Sequence, residues 1–434
     1  MRRGELEEKG YVVMPGFIDL HAHLREPGFE DSETIASGAR AALRGGFTTI
    51  CAMPNTEPAI DSPGLIAEIL ARANAANGAR VLPIATITRG RAGRELSDLI
   101  ELAAAGAVAF SDDGAPVSDA RLFRHALEYA WTKDLLVIEH AQDMALSGKG
   151  VMHEGVVSAR LGLPGSPSMA EDAAVARDIA IAEMTGARLH LTHISTRGAI
   201  ASIRDAKRRG IRVTCDVTPH HLAMTDDWVG GSRMFAWERE GSRARVETAT
   251  QDGDSLSERE RARFERESPP APTRTPYDAA TKVNPPLRAL SDVRALWEGL
   301  ADGTVDAIAT DHAPHASVKK NVEFDQAAFG ISGLETAISL LLGGVAAGWA
   351  DRDTVIRALT TGPAGVLGIS VHDDDWIAVD LDEEWIVSAD TLASMGKNTP
   401  LLGRKLRGRV VYAVVGGEAR YEGGLRGATT VGSR

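Results

Sequence analysis

The chain has 434 residues, enough for one large barrel with a smaller appendage or for two to three ordinary domains. Its 44% hydrophobic and 25% charged residues are those of a soluble globular protein, and its net charge of −12 argues against a nucleic-acid-binding surface. The charged start "MRRGELEEKG" lacks a signal-peptide core, and no apolar run reaches membrane-spanning length. Cys51 and Cys215 are too few and too buried in apolar runs for a disulfide framework; a cytoplasmic protein with no membrane partner is expected.

From the N-terminus, β-branched runs alternate with Ala- and Leu-rich helical stretches. The expected strands are "GFIDLHAH" (16–23), "FTTICAMPN" (47–55), "VLPIATIT" (81–88) and "AVAFSDDG" (107–114). They continue with "LLVIEHA" (135–141), "RLHLTHIS" (188–195), "IRVTCDVTPH" (211–220) and "VDAIATDHAPH" (305–315). Helical spacing falls between them at 33–44, 62–76, 119–132, 170–185 and 196–209. Eight strand–helix units in this order predict an α/β fold, a (β/α)₈ TIM-like barrel with its active site at the C-terminal strand ends. Two segments break the rhythm. A charged insertion at about 226–277, with its densest charge at 238–268, is too poor in large apolar residues to bury much surface and reads as a solvated excursion. The tail from about 372, with "WIAVDLDEEWIVS" and "GRVVYAVVGGEARYEGG", reads as β-hairpin material outside the barrel. The expected boundaries are 1–14, a barrel over 15–365, and 366–434.

The strand ends carry ligand chemistry. In "PGFIDLHAHLREPG", His21 and His23 lie two apart on one strand face and can bind one ion together. A His-x-His pair alone is also what two ordinary polar strand-end residues look like. Here the fourth run ends in Asp112-Asp113, the fifth in His140, the sixth in His193 and the eighth in Asp311, a recurrence difficult to obtain by chance. Imidazole and carboxylate donors suit Zn²⁺. The inventory suits two ions: His21 and His23 with Asp311 on one, His140 and His193 on the other. An aspartate would bridge them, Asp113 or its neighbour Asp112. Such a pair, roughly 3.5–4 Å apart, would acidify a shared water as nucleophile, with Asp311 placed to take and return its proton as general base then acid.

Other residues read more plainly. His220 and His221 are adjacent, so at most one faces the mouth, and packing is the readier role. His190 stands an odd number of residues from His193 and is expected to point away. His125, His153 and His372 read as surface or packing residues. "GISGLE" (330–335) lacks the lysine of a phosphate loop.

In motif order the chain resembles the amidohydrolase superfamily and, within it, class I dihydroorotases. The matching stretches are "PGFIDLHAHLREPG", "MPNT" (53–56), "FSDDG" (110–114), "EHAQD" (139–143), "LTHIST" (191–196) and "TPHHL" (218–222). "KVNPPLR" (282–288), "ATDHAPH" (309–315), "FGISGLET" (329–336) and "NTPLLGRKLRGRVV" (398–411) complete the set. The resemblance implies Asp113 as the bridge, with His21, His23, His140, His193 and Asp311 as metal ligands and Asp311 as proton shuttle. It implies that Arg25, Asn55 and His315 hold a substrate α-carboxylate and that Asn284 helps at the ring; a guanidinium suits a planar carboxylate. The implied reaction is reversible cyclisation of N-carbamoyl-L-aspartate to L-dihydroorotate, in de novo pyrimidine biosynthesis. Related hydantoinases, allantoinases and class II dihydroorotases place a carboxylated lysine on the fourth strand, where "AVAFSDDG" has none. Two departures stand out. Only about a dozen residues precede "VMPGF", so the small β-sandwich that relatives build from both termini is expected to be incomplete, or the start to lie upstream. The 226–277 excursion is also longer than usual.

The resemblance admits a homodimer and a complex with aspartate carbamoyltransferase. Two alternatives compete: another cyclic amidase such as an allantoinase, and a non-catalytic partner of the carbamoyltransferase. The latter would be expected to have lost ligands, and all six positions are occupied here.

Overall fold

A computed structural model describes residues 1–241 and 274–425. The densest part of the charged insertion lies outside the described residues. Its flanks are packed: Trp228 and Arg233 are fully buried, and Arg233 pairs with Asp278 at 2.6 Å.

The helix Arg3–Glu8 leads into strand β1 (Val12–Pro15). Parallel strands follow at Phe17–Ala22 (β2), Phe47–Ala52 (β3), Arg80–Ala85 (β4), Ala109–Phe110 (β5) and Leu136–Glu139 (β6). A two-stranded parallel ribbon, Met152–His153 (β7) and Gly165–Ser166 (β8), interrupts them. Arg188–Leu191 (β9), Val213–Val217 (β10) and Ala307–Ile308 (β11) complete the set. The order in the large sheet is β11-β10-β9-β6-β5-β4-β3-β2. A parallel bridge between Ala22 and His312, with the His23 amide donating to the His312 carbonyl at 2.8 Å, joins its two edges into a barrel. Every residue of β2 and of β3 is buried, as in a parallel sheet covered on both faces.

Several of the helices that cover the barrel begin where a side chain satisfies free amides. Thr34 caps Ile35–Gly45 by accepting from the Ser37 amide, Asp119 caps Ala120–Trp131, and Thr196 caps Arg197–Arg208. Their buried positions recur at helical spacing, as in Ala199, Ile200, Ile203 and Ala206.

The termini form one four-stranded antiparallel sheet, in the order β1, β12 (Trp376–Ile386), β13 (Lys405–Val415), β14 (Glu418–Glu422). Val12 opposes Val379, tying the start of the chain to its end. Gly416 and Gly417, at φ 60° and 79°, turn β13 into β14 with the left-handed backbone that a two-residue hairpin needs. The helix Ala337–Ala346 packs between this sheet and the barrel, with the Ser339 hydroxyl donating to the Gly408 carbonyl at 2.6 Å.

Candidate metal centre

His21 lies in β2 and His23 just beyond it. Their Nε2 atoms stand 3.3 Å apart. Asp113 follows β5 and faces two ways. Its Oδ2 is 3.3 Å from His21 Nε2 and 3.5 Å from His23 Nε2; its Oδ1 is 3.4 Å from His193 Nε2 and 3.6 Å from His140 Nδ1. His140, past β6, and His193, past β9, meet at 3.0 Å. Asp311, past β11, sets its Oδ1 3.1 Å from His23 and 3.5 Å from His21. All six side chains are buried. His21, His23 and Asp113 form one group able to hold a metal ion, and Asp113, His140 and His193 form another. The donors fit: four imidazole nitrogens and two carboxylates converge with lone pairs facing inward, a set suited to a borderline divalent cation.

Electrostatics agree with that fit. Burial opposes a charge on His21, but Asp113 and Asp311 outweigh it and raise the imidazole to about 9. Burial likewise opposes the Asp113 carboxylate, yet His21, His140 and His193 hold it well below the usual range. Protons thus balance the carboxylates in the protein alone, and a cation would displace them.

A second layer orients the rings. His21 Nδ1 donates to the Thr192 hydroxyl at 2.8 Å, which donates to Asp216 at 3.0 Å. Asp216 also accepts from the His193 amide at 2.6 Å and from His190 Nε2 at 2.8 Å. His23 Nδ1 donates to Asn55 Oδ1 at 2.8 Å, and His140 Nε2 to Gln142 Oε1 at 2.9 Å. The bonds at His21, His23 and His140 fix the tautomer that leaves the inward nitrogen free, whereas His193 is held through its backbone amide and its ring Nδ1 has no partner among the described residues. Sequence reasoning missed Thr192, Asp216 and Gln142. A signal existed for Asp216, since an acid inside the apolar strand "VTCDV" is costly to bury without partners.

Of the neighbouring aspartates, Asp113 faces the imidazoles and Asp112 does not. Asp112 turns away and accepts from the Ile87 and Thr88 amides at 2.9 and 3.0 Å and from the Thr88 hydroxyl. His190 does face away from the donors, but through Asp216 it braces them. Strand parity does not explain that outcome, because His193 lies past the end of β9 at φ 42°. Arg25 and Asp311 share this left-handed backbone, at φ 62° and 45°, a costly conformation that Asn77, Arg91, Asp134 and Tyr277 adopt elsewhere.

The other expected residues surround the centre. Arg25 Nε donates to the Pro314 carbonyl at 3.1 Å, and His315 Nε2 to the Phe329 carbonyl at 2.7 Å. Asn284 donates to Gln142 at 2.9 Å, within 3.3 Å of His140. His221 is held by Thr218 and by the Pro285 carbonyl, at 2.8 and 3.0 Å. His220 is buried, its Nε2 without a partner. His153 packs against Arg288 at 3.4 Å, while His125 and His372 are exposed. The "GISGLE" turn aims its Gly333 amide at His312 Nδ1, at 3.2 Å. No described helix is long and apolar enough to cross a membrane.

Known proteins resemble this chain in sequence and in fold. The family model described as dihydro-orotase-like matches residues 10–199. Among solved structures, the L-hydantoinase (dihydropyrimidinase) of Arthrobacter aurescens superposes with a TM-score of 0.75 at 22% identity, covering 96% of this chain and 87% of that one. At that identity the likeness speaks for the fold. A dihydroorotase of Anaeromyxobacter sp. (strain K) is 49% identical over 95% of this chain and 87% of its own length. One of Pelotomaculum thermopropionicum is 46% identical over 95% and 87%. Relatedness this close along nearly the whole chain places it, as a member, in the dihydroorotase family.

Proposed function

We propose that the chain is a class I dihydroorotase that interconverts N-carbamoyl-L-aspartate and L-dihydroorotate. The observation that carries the reading is Asp113: one carboxylate oxygen faces His21 and His23, the other His140 and His193, at the place where the resemblance gives hydantoinases, allantoinases and class II dihydroorotases a carboxylated lysine. Two zinc ions are the proposed occupants, one held by His21, His23 and Asp311, the second by His140 and His193, with Asp113 shared. When bound, they supply the Lewis acidity that polarises the amide carbonyl and acidifies water.

The chain's own groups do the rest. Arg25, whose Nε is anchored on Pro314, turns its remaining guanidinium edge to the substrate α-carboxylate beside Asn55. His315 stands beside that guanidinium with Nε2 committed to the Phe329 carbonyl; burial, with Arg25 adding to it, lowers the imidazole to about 3, so an incoming carboxylate must raise it before Nδ1 can donate. Asn284 reaches the ring. In ring opening, Asp311 accepts the proton of the attacking water and returns it to the leaving ring nitrogen; cyclisation runs the same transfers in reverse.

Purified chain assayed with dihydroorotate, allantoin and hydantoin, alongside metal analysis, tests the reading. Turnover confined to dihydroorotate and two zinc ions per chain are expected; faster turnover of allantoin or hydantoin would overturn it. Arg25→Ala should raise the KM for N-carbamoyl-L-aspartate about 10–100-fold, the loss of a charge-assisted hydrogen bond, with metal content unchanged. An unchanged KM would contradict the carboxylate clamp. The same reading admits a homodimer or a complex with aspartate carbamoyltransferase, which size-exclusion chromatography with and without the transferase distinguishes.

A further inference from the structure

The motif "NTPLLGRK" lies in the linker between β12 and β13, far in sequence from every residue of the centre, yet its first residue reaches the mouth. Asn398 is buried and uses its whole amide. Its Nδ2 donates to the Ala313 and Gly330 carbonyls, both at 3.0 Å. Its Oδ1 accepts from the His315 amide at 2.8 Å and from the Ser332 hydroxyl at 2.9 Å. Its main-chain carbonyl accepts from the Ser332 amide at 3.1 Å. These partners are the two sides of the neck from which the 313–331 loop leaves the barrel, where the Ala313 amide also donates to the Ile331 carbonyl at 2.9 Å.

Two neighbours strengthen the clamp. Gly396 is pressed against the same loop: a Cβ there would lie 2.6 Å from the His315 nitrogen and 2.6 Å from Pro314 Cβ. On the far side, buried Lys320 donates to the carbonyls of Ala279, Lys282 and Ala328 at 2.9, 3.3 and 2.7 Å. With the loop held from behind, the neck decides where His315 sits.

We propose that Asn398 is a positioning residue that sets His315, and so ties the terminal-sheet linker to recognition of the substrate carboxylate. The inference rests on the role proposed above for His315. It requires that the effect of Asn398 pass through His315, which a merely structural role does not.

The test measures metal content, kcat and KM for N-carbamoyl-L-aspartate in the full chain carrying Asn398→Ala, His315→Ala, or both. Asn398→Ala is expected to raise KM about tenfold, as a misplaced binding group does, with kcat within about threefold and metal content unchanged. The double variant should match His315→Ala alone, since residues acting through one contact are not additive. An Asn398→Ala effect that multiplies onto His315→Ala, or a parental KM beside a raised KM for His315→Ala, overturns the role of Asn398 and leaves His315 standing. A parental KM for His315→Ala overturns the His315 reading itself. If Asn398→Ala fails to fold, Gly396→Ala replaces it, since its added Cβ would stand 2.6 Å from the His315 nitrogen and 2.9 Å from Asn398 Oδ1 and so disturbs that same contact; the same raised KM and the same non-additivity are then required.

Discussion

Asp311→Asn is expected to lower dihydroorotate turnover by about 10²–10⁴-fold, the span that a positioned acid–base group contributes, while leaving most of the metal bound. The substitution is quiet in every respect but one. Asn has the same shape and keeps an oxygen toward His23 and His21, where Asp311 Oδ1 now stands at 3.1 and 3.5 Å. It also tolerates the left-handed backbone at φ 45°, where alanine would add strain. What it loses is the negative charge and the capacity to take a proton. That charge is well supported: burial opposes it, but His21 and His23 hold the carboxyl below its ordinary range. Single-turnover kinetics with zinc analysis of the same sample decide the matter. Activity within a few-fold of the parent would remove Asp311 from the proton path; loss of metal along with activity would make it a ligand first.

The barrel was legible because its strands are unusual sequences. β2 and β3 are buried on both faces, so they read as largely apolar and β-branched runs, broken by Asp19 in the first and by Thr48 and Thr49 in the second. Their lengths were not legible. β5 and β11 pair over only two residues each, and the rest of "AVAFSDDG" and "VDAIATDHAPH" is loop that carries the functional groups. His21 and His23 were readable from strand parity because they sit in β2 and one step past it. Asp113 was not, because its turn lies beyond the strand, and only the amides of Ile87 and Thr88 reveal that Asp112 faces elsewhere. The resemblance, not periodicity, made that choice. Thr192, Asp216 and Gln142 escaped because orienting bonds leave no spacing pattern. Asn398 escaped because three α-helices, Ala337–Ala346, Arg352–Leu359 and Thr361–Leu367, and strand β12 separate it in sequence from its partners. The termini read as strand-forming, but the pairing of β1 with β12 joins opposite ends of the chain, and no local pattern records it.

Asp113→Asn should have the larger effect on the metal itself. If one carboxylate holds both halves of the centre together, its neutralisation should weaken metal binding by more than about 100-fold, beyond what losing an outer partner of a ligand costs. Turnover should fall below detection. The pH dependence supplies an independent sign. In the parent, burial disfavours charge on His21, but Asp113, the largest opposing influence, and Asp311 raise it to about 9, so an incoming cation must displace a proton at neutral pH. Metal affinity should therefore keep rising with pH until about 9, with a proton released on binding. For the metal-free protein the linkage runs the other way. A folded pKa raised above the ordinary 6.5 means that the stability drawn from charged His21 is complete below that value and is lost as pH climbs through about 9. Neutralising Asp113 removes the chief cause of the raised pKa, so the plateau in affinity should move to lower pH even as affinity falls. Zinc titrations at several pH values, with proton release followed in weak buffer, measure both. A parental pH profile in Asp113→Asn would mean that another group competes with the metal, and Asp113 would cease to be the bridge.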